Sequence, residues 1–167
     1  MKQENTFIHV RHTIEPVYDE NSRILILGSF PSVKSREGKF FYHHPQNRFW
    51  KVLAGILKEP VPDTIPEKKA MLLRHHVAIW DVVASCDIRG SSDASIKNVV
   101  PCDLESVIEA SQIKYIFTNG GTADRLYRKY CYKKTGIEAC KLPSTRPANA
   151  AWSLERLLTA WNIIIAQ

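Results

Sequence analysis

The apolar residues of this chain of 167 residues gather into four short runs: Ile24–Leu27, Val77–Val83, Tyr115–Thr118 and Ile137–Leu142. Three of them stop at a turn former: the first at Gly28, the third at Asn119-Gly120-Gly121 and the fourth at Pro143. Runs this short, rich in β-branched and aromatic residues and bounded by such punctuation, read as buried strands. Segments with helical spacing lie between and after them. Arg48–Leu57 sets Phe49, Val52, Leu53 and Ile56 on one face, and Pro66–Arg74 carries proline in its first turn. Asp103–Ser111 opens on an acidic cap, Thr122–Tyr132 follows the glycine pair, and Ser153–Ala166 aligns Leu154, Leu157, Leu158 and Trp161. Strands alternating with helices predict an α/β fold of three layers, αβα, around a central, mainly parallel four-stranded sheet. The length fits a single domain spanning residues 1–167. The segment before Arg23 is expected to lie as a loosely packed arm, and Pro60–Pro66 as a connecting loop.

A sheet of this kind collects its ligand in the loops at the carboxyl ends of its strands. Those loops are Gly28–Asn47, Asp81–Ile96, Asn119–Ala123 and Pro143–Ala150, and all four are rich in small polar residues. The first also carries Phe40, Phe41 and Tyr42 beside Lys34, Arg36 and Lys39, a mixture suited to a flat anionic ligand such as a nucleotide. The charge balance agrees: 23 Lys and Arg against 17 Asp and Glu leave a formal charge of +6. The same three cations also suit an ordinary solvated face.

Several chemistries are excluded by motif. No G-x-x-x-x-G-K-[ST] loop is present, no G-x-G-x-x-G follows the first strand, and no G-x-S-x-G elbow occurs. The histidines pair as neighbours, His43-His44 and His75-His76, rather than four apart on one helix face. The four cysteines are 16, 29 and 9 residues apart, with no C-x-x-C pair. No metal and no other cofactor is therefore expected. The N-terminus carries no signal pattern and no apolar run reaches transmembrane length, so a cytoplasmic protein with reduced cysteines and no membrane partner is expected.

The strand-end loops, taken together, resemble those of the uracil-DNA glycosylase superfamily. The first motif of that superfamily is matched by Gly28-Ser29-Phe30-Pro31-Ser32 after the first strand. The string Tyr42-His43-His44-Pro45-Gln46-Asn47-Arg48-Phe49-Trp50 is similar to the aromatic-H-P-x-N-R-F-W continuation of its mismatch-specific uracil/thymine branch. The second motif is matched by Leu142-Pro143-Ser144, continuing through Thr145-Arg146-Pro147-Ala148-Asn149. Trp80-Asp81-Val82-Val83 and Gly90-Ser91-Ser92-Asp93 resemble the hypoxanthine (deoxyinosine) branch. Two departures stand out. Phe30 occupies the place of the usual water-activating Asp or Asn, and Leu142 the place of the histidine of the uracil enzymes.

The resemblance implies a monofunctional hydrolase that breaks the N-glycosidic bond of a flipped, deaminated base in DNA, hypoxanthine first and uracil second, acting as a monomer. It places catalysis on Asn47. It implies base binding by Gly28, Ser29, Phe30, Tyr42 and Asn119, with Tyr42 stacking on the base and Asn119 reading its edge. It implies DNA contacts by Pro31, Ser32, His44, Ser144, Thr145 and Arg146, with Thr145–Pro147 pressing into the minor groove. Each residue also has a plainer reading. Asn47 before Arg48 suits a helix cap, Tyr42 beside Phe40 and Phe41 suits a core, Asn119 before two glycines suits a turn, and Asp81 suits a loop tie. With both usual catalytic residues missing, a sensor that binds damaged or single-stranded DNA without cutting it is the competing function.

Overall fold

The computed structural model describes residues 6–167. Along the chain, β1 (Ile8–Arg11) and β2 (Ile24–Gly28) are followed by α1 (Val33–Gly38), α2 (Phe49–Leu57) and α3 (Ile65–Arg74). Next come β3 (Val77–Asp81), β4 (Val83–Ile88), β5 (Lys97–Pro101) and α4 (Leu104–Glu109). The chain closes with β6 (Tyr115–Asn119), α5 (Gly121–Tyr130), α6 (Tyr132–Thr135), β7 (Ala139–Leu142) and α7 (Leu154–Trp161), after which a 3₁₀ turn covers Asn162–Ala166. Among the described residues no helix is long and apolar enough to cross a membrane.

The expected sheet is present, wholly parallel, in the order β3-β2-β6-β7. All five residues of β2 are buried, as a central strand covered on both faces requires. Successive side chains divide between two cores. Ile24, Ile26 and Phe117 pack with the apolar faces of α2, α3 and α7. Leu25, Leu27 and Ile116 pack with residues of β4, α4 and α5. This produces the αβα layering. Helix boundaries follow local chemistry: Thr64 and Glu67 close a capping box at α3, and Asp103 and Ser153 accept from backbone N–H groups at the starts of α4 and α7. The close crossing of α2 and α7 depends on Gly55, where a Cβ would lie 2.6 Å from a methyl of Leu158.

Two expectations are corrected. Val77–Val83 is not one strand. At Val82 the N–H turns to the Gly28 carbonyl and that of Val83 to Ser29, so the chain leaves β3 and enters a second, antiparallel sheet ordered β1-β4-β5. Of the segment before Arg23, residues 6–22 are not a loose arm, and residues 1–5 lie outside the described residues. Residues 8–11 pair with 85–88, and Val17 exchanges both backbone hydrogen bonds with Ile79, covering the outer edge of β3. Ile14 and Val17 are buried, and the indole of Trp80 donates to the Ile14 carbonyl. An uncovered strand edge exposes unpaired backbone groups, and Val17 satisfies those of Ile79 at the middle of β3. Truncating Ile14 to Ala is therefore expected to cost about 2–4 kcal/mol in urea-induced unfolding, as for a core isoleucine, where a loose arm would lose under about 0.5 kcal/mol.

Candidate active site

The register of the sheet builds the site. Gly28 pairs with Asp81 across β2 and β3, and Leu27 pairs with Thr118 across β2 and β6. Asp81, Gly28 and Asn119 therefore stand side by side at the carboxyl ends of three neighbouring strands. A cleft opens there, enclosing about 470 Å³ including its mouth. Of the residues anticipated from sequence, Gly28, Ser29, Phe30, Pro31, Ser32, Tyr42, Asn47, Asn119 and Arg146 line it. Ser35, Phe41, Asp81 and Asp93 complete the lining. Past Asp93, Asn119 and Arg146 the cleft widens into an open groove floored by Gly120, Gly121, Thr122 and Ser144.

The two asparagines are fixed by one buried threonine. Thr145 Oγ1 donates to Asn47 Oδ1 at 2.8 Å and accepts from Asn119 Nδ2 at 3.0 Å, while its N–H donates to Asn119 Oδ1 at 3.1 Å. Asn47 Oδ1 also accepts from the N–H of Phe49 at 2.9 Å. A backbone N–H can only donate, so this contact fixes which end of the Asn47 amide is oxygen. The –NH₂ end is the one left for the cleft. The helix-cap reading and the catalytic reading of Asn47 are thus compatible: the oxygen holds the start of α2 and leaves the nitrogen aimed. Thr145 is fully buried, which removes it from the set of DNA-contacting residues. It positions the two amides and does not reach a groove.

Arg48 clamps the first loop to the fourth. Its guanidinium donates to the carbonyls of Trp152, Arg146 and Asn149, the last two at 3.1 and 3.0 Å, and its N–H donates to the Thr145 carbonyl. Gly120, at φ 97°, lets the third loop pass the fourth, since a Cβ there would lie 3.0 Å from Ser144 Cβ.

Tyr42 occupies the left-handed region at φ 53° and lays one ring face on Phe49, with centroids 3.9 Å apart. That face is unavailable to a base. The hydroxyl is buried with the Asn119 amide beside it, and burial, with Asp81 nearby, pushes the phenol upward. Phe30 is 4 % exposed, edge-on to His12 and beneath the Arg36 guanidinium, so an apolar wall stands where the superfamily usually has a polar side chain. His44 lies outside the cleft, where its ring accepts from the N–H of Gln46 in a local turn. Ser144 lines the outer groove and accepts from the N–H of Arg146. Arg146 is not a free cation: it pairs with Asp93 at 3.1 Å and donates to the Ser91 carbonyl, and Asp93 in turn accepts from Ser29 Oγ at 3.0 Å.

Sequence reasoning left two acids out of the site, Asp81 and Asp93. The signal for Asp81 was its place at the end of an otherwise apolar strand, on the rim where ligands gather. The residue is 3 % exposed, and Oδ2 has no hydrogen-bond partner. Burial, reinforced by Asp93 and opposed by Arg146, pushes its carboxyl up to about 7. His12 stands 3.8 Å from Oδ2 but supplies no counter-charge. Its Nε2–H is committed to the Val83 carbonyl, its Nδ1 accepts from the N–H of Ile14, and burial holds it down to about 4. Gly28 is what allows Asp81 and Tyr42 to converge: a Cβ there would lie 2.6 Å from Asp81 Oδ1 and 3.2 Å from the Tyr42 hydroxyl.

The model of the uracil DNA glycosylase superfamily matches residues 15–164. The chain is 32% identical over 149 residues to the hypoxanthine DNA glycosylase of Methanosarcina acetivorans, covering 88% of this chain and 93% of that one. It is 37% identical over 84 residues to the hypoxanthine DNA glycosylase of Methanosarcina barkeri, covering 50% and 53%. Its fold is similar to a solution NMR structure from Methanosarcina acetivorans assigned as a uracil DNA glycosylase, with a TM-score of 0.78, 26% identity and 95% of this chain covered. The cleft and its four loops are those of a DNA repair glycosylase. The chain belongs to the uracil DNA glycosylase superfamily.

Two outcomes follow from the geometry. Thr145→Val keeps the shape but removes the hydroxyl between the asparagines, and is expected to lower turnover by roughly 10-fold or more while costing only about 1–2 kcal/mol of stability, read from single-turnover rates and thermal melts. The second concerns pH. Asp81 binds its proton up to about pH 7 in the folded chain but only up to about 4 when unfolded. Its contribution to stability is therefore full below about pH 4 and is lost as pH rises through about 7, a change on the order of 4 kcal/mol. Asp81→Asn should be more stable than the parent at pH 8 and lack this part of the fall, as urea titrations at both ends of the window will read.

Proposed function

We propose that the chain hydrolyses the N-glycosidic bond of deoxyinosine in DNA, releasing hypoxanthine and leaving an abasic site, with uracil as a poorer substrate. The observation that carries this reading is the Asn47 amide, oriented by Thr145 and the start of α2 so that its donors face the cleft. Similarity over 88% of this chain to a protein named as a hypoxanthine DNA glycosylase supports the choice of base. The target base must leave the stack to be reached, which is least costly at a deaminated, mispaired position.

As the C1′–N9 bond breaks, positive charge builds on the sugar and negative charge on the base. Preformed donors aimed at that base stabilise it without reorganisation, and Asn47 supplies such donors. Asn119, with both amide ends tied to Thr145, has one further N–H, beside the Tyr42 hydroxyl, that reads an edge of the base as the base enters. Backbone groups at Gly28 and Ser29 hold the attacking water. The outer groove takes the strand: Gly120 and Gly121 leave the backbone bare at the start of α5, and open space at Gly121 admits a phosphate to the helix N–H groups. Arg146 lies where groove and cleft meet and adds attraction to phosphate as it exchanges its bond to Asp93. Among the described residues no lysine lines the cleft, in keeping with hydrolysis without strand cleavage. The protein acts as a monomer.

An abasic-site assay on inosine- and uracil-containing oligonucleotides, single- and double-stranded, tests the reading. The expected result is release from inosine substrates. Binding with no release would instead establish the sensor function. Asn47→Ala should lower excision roughly 10²–10³-fold and leave DNA affinity near that of the parent, with about 1 kcal/mol lost from the missing cap.

A further inference from the structure

Among the described residues Asp81 Oδ2 is a buried side-chain oxygen with no hydrogen-bond partner, and the Tyr42 hydroxyl near it is buried with only the Asn119 amide beside it. Both residues line the cleft, and both close on Gly28, where a single Cβ would touch Asp81 Oδ1 and the Tyr42 oxygen. Native structures rarely leave a buried polar group unpaired, and an unpaired carboxyl on a residue that lines a ligand cleft indicates that the ligand completes its bonding. Resting on the reading that the ligand is a flipped deaminated purine, we propose that Asp81 is a catalytic residue that donates a proton to the departing base.

The groups facing Asp81 keep it an acid. His12 is neutral and its Nε2–H is spent on Val83. Arg146 is drawn off by Asp93, which itself repels a second negative charge. The Tyr42 phenol and the buried Cys102 thiol are both pushed upward and stay neutral. Burial then favours the protonated carboxyl, with its pKa raised to about 7. A buried carboxylic acid kept protonated is a strong hydrogen-bond donor and a competent general acid near neutral pH.

The step balances. The electron pair of the C1′–N9 bond passes into the purine as the bond breaks, and a ring nitrogen of the base takes the proton of Asp81. The oxygen of one water forms the new bond to C1′. A proton from that water restores the acid of Asp81, so one water is consumed and the enzyme is regenerated. With Phe30 where a water-activating side chain usually stands, the chain relies on stabilising the leaving base: Asn47 hydrogen-bonds it and Asp81 protonates it.

Single-turnover release of hypoxanthine from an inosine duplex, followed from roughly pH 5 to pH 9 with the parent and Asp81→Asn, tests this. Asn keeps the volume and a donor but has no proton to transfer. The parent rate should fall as pH rises through the pKa of Asp81. The variant should be roughly 10²-fold slower or more at its best pH and should lack that alkaline limb, while binding the duplex and melting no lower than the parent. A variant within about 3-fold of the parent and with the same profile would overturn the proposal, as would a parent rate that climbs through this window, a result that needs no variant. A parent that releases no base from any substrate defeats the glycosylase reading itself, and is separate from these outcomes.

Discussion

The guanidinium of Arg48 donates to three backbone carbonyls of the fourth loop, those of Arg146, Asn149 and Trp152, while the N–H of Arg48 holds the carbonyl of Thr145. Carbonyls that turn inward without a partner are costly, and a charged, planar fork that satisfies several at once fixes the loop's path more firmly than any single neutral bond. Because Arg48 sits directly before α2, it ties that path to the apolar face of α2, which is packed in the core. Thr145 is thereby pressed between Asn47 and Asn119, and the amides of two loops that are far apart in sequence acquire one orientation. The chemistry of the cleft depends on this clamp, although Arg48 itself need not touch the ligand.

The cleft is assembled from rigid parts and left incomplete where the ligand goes. Strand ends supply Gly28, Asp81 and Asn119 in a row, because a parallel register aligns them. The polar groups that support the structure are paired: Thr118 with Asp124, Ser29 with Asp93, Asp93 with Arg146. Among the described residues the unpaired carboxyl oxygen is that of Asp81, which lines the cleft beside Tyr42, and the neutral His12 behind it denies it a counter-charge. Such an arrangement sacrifices stability for a poised site, a trade familiar from active sites in general.

Much of the parallel sheet was legible in the chain, since its strands are short, apolar and punctuated by Gly28, Gly120 and Pro143, and its helices carry apolar faces. The rim followed from this, and nine of the residues named from the rim and the motifs do line the cleft. What was not legible came from partners remote in sequence. Nothing local in VAIWDVV reveals that the chain changes sheets at Val82, because the cause is hydrogen bonding to Gly28 and Ser29 some fifty residues earlier. The N-terminal segment lacks a strong local pattern, and its order comes from the strand edge it covers.

The sequence by itself determined the layer order, the parallel sheet, the loops that gather at one rim and the motifs that mark a glycosylase. Those are properties of periodicity, punctuation and short strings, which are carried by neighbouring residues. Only the tertiary structure decided which polar groups are spent and which are free. It turned Thr145 from a DNA contact into a buried brace, engaged Arg146 with Asp93, laid one face of Tyr42 on Phe49, and exposed Asp81 as an unpaired acid. The physical reason is that burial and hydrogen-bond satisfaction are sums over everything that surrounds a group, and for these residues the surroundings come from four loops brought together only by folding.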